Sequence, residues 1–456
     1  MKNTSGLESI AYGLIDGDGQ VFTNFPGYQS HKLFSLLGGK QTSTNEKIAY
    51  EIAWGSSLAG KRSAVMFKNV GLNDAADPFL NSMLVGVNAG LVLVVFDDVF
   101  VEGSQSRQDS RHYFDFYKGL WFEPYSVQNA YEVAYKSFGL SEGFKLPVVI
   151  RVTNQLVESF DTCKRKKKIT KSQLSIKQNH EQFVIHPVNS KFQRKTLSKK
   201  NLPIQKYVDG LYKKIAIKNS KKNLLVLGCS RNEESKYLES GYNKIQIYTY
   251  PLPNSLKKVV ETSNSLIVLE QGDDFIYQKI REFPKSPSNR IISNTGFIPD
   301  KSNGYIITKN YEKIFSVLKS LKPNLVIGDL GEYTKDNLDT IDACLSFGSS
   351  PAVAIGCNLA GIKKVVSIIG DAAYLHSGKN SILEAIEKNI PLKIIVVCNG
   401  GSQETGGQQI PGELYYQPKG VDKLKINYKK ASKTEIKTIL TKFMKSENVS
   451  VLYLEM

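Results

Sequence analysis

Apolar runs of strand length alternate with segments of helical periodicity along the whole chain. In the first 160 residues, Ser63–Phe67, Leu91–Phe96 and Leu146–Val152 are short and Val-rich, as strands buried on both faces of a parallel sheet should be. Glu46–Leu58 places its apolar residues at helical spacing. Ser43 followed three residues later by Glu46 has the pattern of a capping box at its start. Farther on, Asn223–Gly228, Lys244–Thr249 and Ser265–Glu270 predict three strands of a smaller unit. Tyr250-Pro251-Leu252-Pro253 forms a turn signal between the last two, and the Pro- and Ser-rich Phe283–Ser288 closes the unit. The last third repeats the alternation, with strands at Asn324–Gly328, Val365–Gly370 and Leu392–Asn399 and helices at Ala352–Ala360 and Asn380–Lys388. This order predicts an α/β protein: two doubly wound parallel-sheet domains with a smaller α/β domain between them. The expected boundaries are 1–160, a connector at 161–222, the small domain at 223–284 and the last domain at 285–456.

The chain has 456 residues and a net charge of +17, but the charge is not spread over it. Between Lys164 and Lys222, 16 lysines and 2 arginines face only Glu181 and Asp209, so this connector holds +16 of the total. Its two readings are a polyanion-binding patch and a solvated interdomain connector. No aromatic or glycine pattern of an RNA module accompanies it, so a nucleic-acid partner is not expected. No apolar run approaches the ~20 residues that span a bilayer, and Met1–Gly6 has no apolar signal core. The five cysteines form no Cys-x-x-Cys pair. Free thiols in a reducing, cytoplasmic setting are the expectation.

Chemistry concentrates at Gly370-Asp371-Ala372, which ends one predicted strand, and at Asn399, which ends the next. In an open parallel sheet the carboxyl ends of adjacent strands bound the ligand crevice. Asp371, Asn399 and the backbone carbonyl of Gly401 would there form an oxygen-only set suited to Mg²⁺. Gly400-Gly401 and Thr405-Gly406-Gly407 allow close approach of the backbone to a diphosphate. The spacing resembles the thiamine-diphosphate motif; a strand end, a helix and a strand end with ordinary turn residues is the alternative.

A longer ordered series of motifs supports the first reading. In the first third it comprises Asn45-Glu46-Lys47, Lys68-Asn69-Val70-Gly71-Leu72-Asn73, Ala76-Asp77-Pro78, Gly90–Val94, Asp97-Asp98, Ser104-Gln105, Gln108–Arg111 and Glu123-Pro124. Tyr250–Pro253 follows in the middle, and the last third adds Gly328-Asp329-Leu330-Gly331, Ile341–Cys344, Ile369-Gly370-Asp371, His376-Ser377-Gly378 and Thr405-Gly406. In these the chain resembles the thiamine-diphosphate-binding α subunit of indolepyruvate:ferredoxin oxidoreductase. The resemblance implies a pyrimidine-binding domain at 1–160, a diphosphate- and Mg²⁺-binding domain at 285–456 and a transketolase C-terminal-like domain between. It also implies a cofactor held between two subunits, hence a homodimer or higher homo-oligomer.

Roles follow from the same resemblance. Glu46 takes the place of the glutamate that bonds N1′ of the aminopyrimidine, against its alternative role in the capping box. Pro26, Gly27, Asn73, Gly370, Asp371, Ala372, Asn399, Gly401, Thr405 and Gly406 are the cofactor-binding candidates, and Asp371, Asn399 and Gly401 the metal ligands. His376, two turns from the metal site, is the acid/base candidate, or else satisfies helix-terminal backbone groups. Gln105, Arg111, His112 and His31 are substrate candidates. Arg111 either pairs with a substrate carboxylate or binds Asp109, and His31 is otherwise a surface histidine.

The departures set the expected reaction. Where the family has a paired-cysteine motif, this chain reads Ile291–Pro299 without cysteine, and where it has Cys after Gly-Asp-Ile-Gly, this chain has Glu332. No cysteine-dense ferredoxin-like segment appears through Met456, so the thiolates that ligate a cluster are missing. The family often has His at Asn69. With thiamine diphosphate and Mg²⁺ as cofactors and no iron–sulfur cluster, the expectation is non-oxidative decarboxylation or carboligation of a 2-oxo acid, the substrate partner, with an aryl- or indolepyruvate-like acid as the candidate the resemblance suggests. The first alternative is the thiamine subunit of a ferredoxin-linked oxidoreductase whose clusters sit on a second subunit. The second is a non-catalytic scaffold, against which the retained Glu46, Asp371 and Asn399 speak.

Overall fold

A computed structural model describes residues 3–99, 108–170, 173–176, 179–212, 221–229, 234–283, 308–336, 338–401, 403, 407–409 and 412–456. The predicted apolar runs are strands. Val21–Asn24, Ser63–Lys68, Leu91–Asp97, Val148–Thr153 and Trp121–Phe122 lie side by side in that order, all parallel. Lys222–Leu227 lies between Ser265–Leu269 and Asn243–Ile247 in a three-stranded parallel sheet. A third sheet runs Leu325–Gly328, Val365–Gly370, Lys393–Cys398, Ser450–Glu455, Asp422–Asn427, again all parallel. Every residue of Leu91–Asp97 and Val148–Thr153 is buried, which explains why these strands read as continuous apolar runs.

The segment at 249–253 does more than turn. Thr249–Tyr250 adds an antiparallel edge strand to Trp121–Phe122 in the first sheet, and the Tyr250 ring stacks on Trp121 with centroids 5.5 Å apart. A two-residue strand carries no period of its own, so the sequence pattern does not show it.

The helix Glu46–Leu58 joins the first and third sheets. Twelve of its thirteen residues are buried, and it crosses the helix Ser350–Leu359 at two glycines. A Cβ on Gly55 would lie 2.2 Å from Val353 O, and one on Gly356 would lie 2.1 Å from Ile52 O. Ser56 Oγ donates to Gly356 O at 2.9 Å in the same contact. A glycine in a helix costs up to ~1 kcal/mol relative to alanine; here it permits backbone-to-backbone approach. The capping box does not form. Asn45 is the N-cap, in extended conformation, and its side chain accepts from Ile48 N at 2.8 Å. Ser43 Oγ is buried without a partner among the described residues, because the chain on either side is held elsewhere. Ser43 N donates to Asn24 O, and Thr44 N and Oγ1 donate to Glu384 Oε2 at 2.7 and 2.8 Å.

Described parts of the basic connector are docked on the first domain. Arg165 pairs with Asp16 at 2.6 Å and lies over the Tyr12 ring, Lys166 N donates to Tyr131 Oη, and Leu174 N donates to Gly60 O. The helices Pro187–Ser198 and Asn201–Tyr212 follow, the first with Lys191, Arg194 and Lys195 exposed. No helix among the described residues is long and apolar enough to cross a membrane.

Candidate active site

The third sheet delivers Asp371 and Asn399 to one point. Strand Val365–Gly370 runs directly into the short helix Asp371–His376, so Asp371 stands at the strand's carboxyl end. Its neighbour Lys393–Cys398 ends at Asn399. Asp371 is 6 % exposed, and Oδ2 accepts from the backbone N–H groups of Asn399, Gly400 and Gly401 at 3.2, 2.9 and 3.2 Å. Oδ1 accepts from Ala372 N at 2.8 Å. Gly400 and Gly401 have φ of 87° and 135°, which favours glycine at both.

One end of the Asn399 amide lies 3.1 Å from Gly401 O and 3.2 Å from Asp371 Oδ1. With nitrogen there, the amide donates to both. With oxygen there, as when the side chain turns to face a cation, three oxygens converge. Either orientation places Asp371, Asn399 and Gly401 around one point, and a hard, oxygen-preferring cation fits that donor set.

The first sheet builds the second cluster. Glu46 is the first residue of its helix, and its half-buried carboxyl meets no hydrogen-bond donor from any other described residue. Burial and, after it, the Asp74 carboxylate push Glu46 above the ordinary glutamate range. Asp74 Oδ2 accepts from Lys47 N at 3.2 Å. Gly27 backs onto the Lys68 side chain, whose Nζ pairs with Asp98 at 2.8 Å, while Pro26 is exposed beside it. Asn73 accepts from Tyr113 Oη at 2.5 Å and donates to Gln108 Oε1 at 3.0 Å. Asn69, where the resembled family often has His, is buried and donates to Gln108 O at 2.7 Å.

Other candidates fare differently. Arg111 is not available to a substrate: it is fully buried, with Nη1 on Glu270 at 2.6 Å, Nη2 on Asp273 O at 2.8 Å, and Nε and Nη2 both on Asp109. Its alternative partner, Asp109, is the one found. His112 is exposed, 3.3 Å from Asp273. His31 is exposed on the helix Ser30–Leu36. His376 is five residues from Asp371, about 1.4 turns and not two, exposed, with Nδ1 3.1 Å from Ser377 Oγ and its ring edge-on to Phe347. Gln105, Thr405 and Gly406, like Ile291–Pro299, lie outside the described residues.

A buried polar network that the sequence did not flag runs between the two clusters. Lys47 Nζ bridges Glu51 at 3.0 Å and Asp77 at 3.1 Å, and Ser346 Oγ donates to Glu51 at 3.3 Å. Asp329 accepts from the N–H groups of Leu330, Gly348 and Ser350. Burial pushes Glu51 up to about 7 and Asp329 up to about 6. A carboxyl raised by folding contributes stability that is present below its unfolded pKa and lost as pH rises through the folded one. Wild-type stability should therefore lose on the order of 3 kcal/mol more than Glu51→Gln between pH 4.5 and 8, given ~1.4 kcal/mol per pKa unit. His186, which burial lowers to about 4, acts in the opposite sense in both proteins and cancels. Denaturant unfolding at the two pH values measures the difference; parallel profiles would count against a titrating Glu51.

Residues 330–444, which include Asp371, Asn399 and Gly401, match the thiamine pyrophosphate enzyme, C-terminal TPP binding domain. Among solved structures the whole chain superposes on the thiamine diphosphate-dependent 4-hydroxybenzoylformate decarboxylase of Rhodococcus jostii RHA1, with TM-score 0.55 and 13% identity over 99% of both chains. The 2-oxoglutarate:ferredoxin oxidoreductase of Magnetococcus marinus gives TM-score 0.51 and 14% identity, over 62% of this chain and 60% of that one. The fold is that of the thiamine-diphosphate enzymes. Within that class, 89% of the chain aligns with 76% of the indolepyruvate oxidoreductase subunit IorA of Archaeoglobus fulgidus at 26% identity. The same coverage at 25% identity is found with the IorA of Pyrococcus horikoshii. The chain is a relative of these IorA subunits.

Proposed function

We propose that this chain is a thiamine-diphosphate- and Mg²⁺-dependent enzyme that decarboxylates or carboligates a 2-oxo acid without oxidation. The observation that carries the reading is the gathering of the Asp371 carboxylate, the Asn399 amide and the Gly401 carbonyl around one point at the carboxyl ends of adjacent parallel strands. Those three groups would hold the Mg²⁺, and the backbone at Gly400–Gly401 would lie against the diphosphate. When bound, thiamine diphosphate supplies an electron sink for the charge left on the substrate carbon as CO₂ departs. Glu46 would hold a proton shared with N1′ of the aminopyrimidine. Its half-burial, with no donor from any other described residue, leaves the carboxyl free for that bond. His376, exposed at the end of the Asp371 helix, would exchange a proton with solvent at the rim.

The non-oxidative choice rests on the thiols. Cys344 and Cys357 are fully buried, with their thiols pushed up by burial, and Cys398 is pushed up to about 12. None of the five cysteines has a Cys-x-x-Cys partner, and a cluster takes about four converging thiolates. Glu332, at the position of a family cysteine, instead ties down Thr308, Asn310 and Tyr311 at 3.1–3.3 Å. One observation favours a second reading, a thiamine subunit with its clusters on a partner: the likeness to IorA over 89% of the chain. Mass spectrometry of products from a panel of 2-oxo acids, with thiamine diphosphate and Mg²⁺, separates the two. Aldehyde or carboligation product without an electron acceptor supports the first. Turnover that requires an acceptor, or iron in the purified protein, overturns it.

A further inference from the structure

Gly71 begins the helix Gly71–Val85 immediately after the strand Ser63–Lys68 and the pair Asn69–Val70. Its φ is not in the left-handed region, so the backbone does not require glycine there. Nor does its place as the first residue of the helix call for glycine. What the position does require is empty space on its outer side. A Cβ on Gly71 would lie 2.4 Å from Glu46 Cγ, 2.5 Å from Glu46 Oε1 and 2.8 Å from Glu46 Cδ. These distances run through the stem of the side chain as well as its tip, so Glu46 cannot yield by a small rotation of its carboxyl; the whole group must leave. The helix behind it cannot retreat either. Lys47 is fixed to Asp74 and Asp77 on the Gly71–Val85 helix, and Tyr50 Oη to Ser82 Oγ at 2.7 Å.

We propose that Gly71 is a positioning residue for Glu46: its missing side chain is the seat in which the Glu46 carboxyl rests. The proposal rests on the reading of Glu46 as the N1′ partner for its consequence in catalysis, but not for the seat itself. Enlarging Gly71 should unseat the carboxyl while sparing the Asp371 end of the site, which belongs to another sheet.

Two measurements test this. Crystal structures of the wild-type and Gly71→Ala apoproteins should show the Glu46 carboxyl displaced by more than an ångström; an alanine accommodated with Glu46 in place overturns the seat. Hydrogen–deuterium exchange at C2 of bound thiamine diphosphate should slow at least tenfold in Gly71→Ala. In the Glu46→Gln background the same change should cost less than about twofold, since residues acting through one another are not additive. Costs that multiply would mean Gly71 acts by another route and would overturn the proposal. Wild-type exchange in Glu46→Gln alone would instead remove Glu46 from the chemistry, with the apoprotein structures still deciding the seat. If Gly71→Ala does not fold, Glu46→Ala added to it should restore folding, and failure to restore it overturns the proposal.

Discussion

Glu46→Gln should slow C2–H exchange of bound thiamine diphosphate by ~10²–10⁴-fold, the range typical of a positioned proton-transfer group. The fold should stay intact and much of the cofactor affinity should remain. Glutamine fills the same volume against Gly71, and the helix keeps its cap because that cap is Asn45. Had Ser43 and Glu46 formed the capping box, the same substitution would cost stability and confuse the two effects. Exchange quenched in acid and read by NMR, with thermal unfolding beside it, measures both. Exchange at the wild-type rate would remove Glu46 from the proposed mechanism.

Asp371→Ala should abolish Mg²⁺-dependent binding of thiamine diphosphate. Changes to outer-shell partners already cost metal sites ~10–100-fold in affinity, and this change removes the proposed charged ligand itself. It also frees the three N–H groups that Asp371 gathers from Asn399, Gly400 and Gly401. Asp371→Asn separates the two losses, because an amide oxygen still accepts those bonds while the charge is gone. Calorimetric titration with and without Mg²⁺ reads the result; affinity unchanged in both variants would refute the metal assignment.

The sheets were legible because parallel strands buried on both faces show as apolar runs, and Leu91–Asp97 is the plainest case. Asp371 and Asn399 were legible for a related reason: in an open parallel sheet a strand end marks the crevice. What the sequence hid depends on residues distant along the chain. Nothing near Arg111 announces Glu270 and Asp273, which take its donors, so a substrate role and a structural one looked alike. The pattern Ser43-x-x-Glu46 is a sound capping signal, but Asn45 competes two residues later, and contact with Glu384 decides the contest. Lys47 and Asp329 stand in separate motifs and Glu51 in none, so nothing in the sequence joins them; only the approach of Ser346 to Glu51 across the two halves reveals a buried network. Gly71 offers no turn or periodicity to notice, since its role is the room it leaves.

The crossing at Gly55 and Gly356 has a consequence for how such a chain can change over generations. Each glycine faces the backbone of the opposite helix, and backbone cannot be traded for something smaller. A larger residue on one helix thus has no single compensating substitution on the other; the helices themselves would have to part. Recombination that replaced one half of the chain with a diverged counterpart would succeed only if the incoming helix brought its own small residue at the same height. The first and last thirds of this sequence are thereby bound to be inherited as a matched pair, although some 300 residues separate the two glycines.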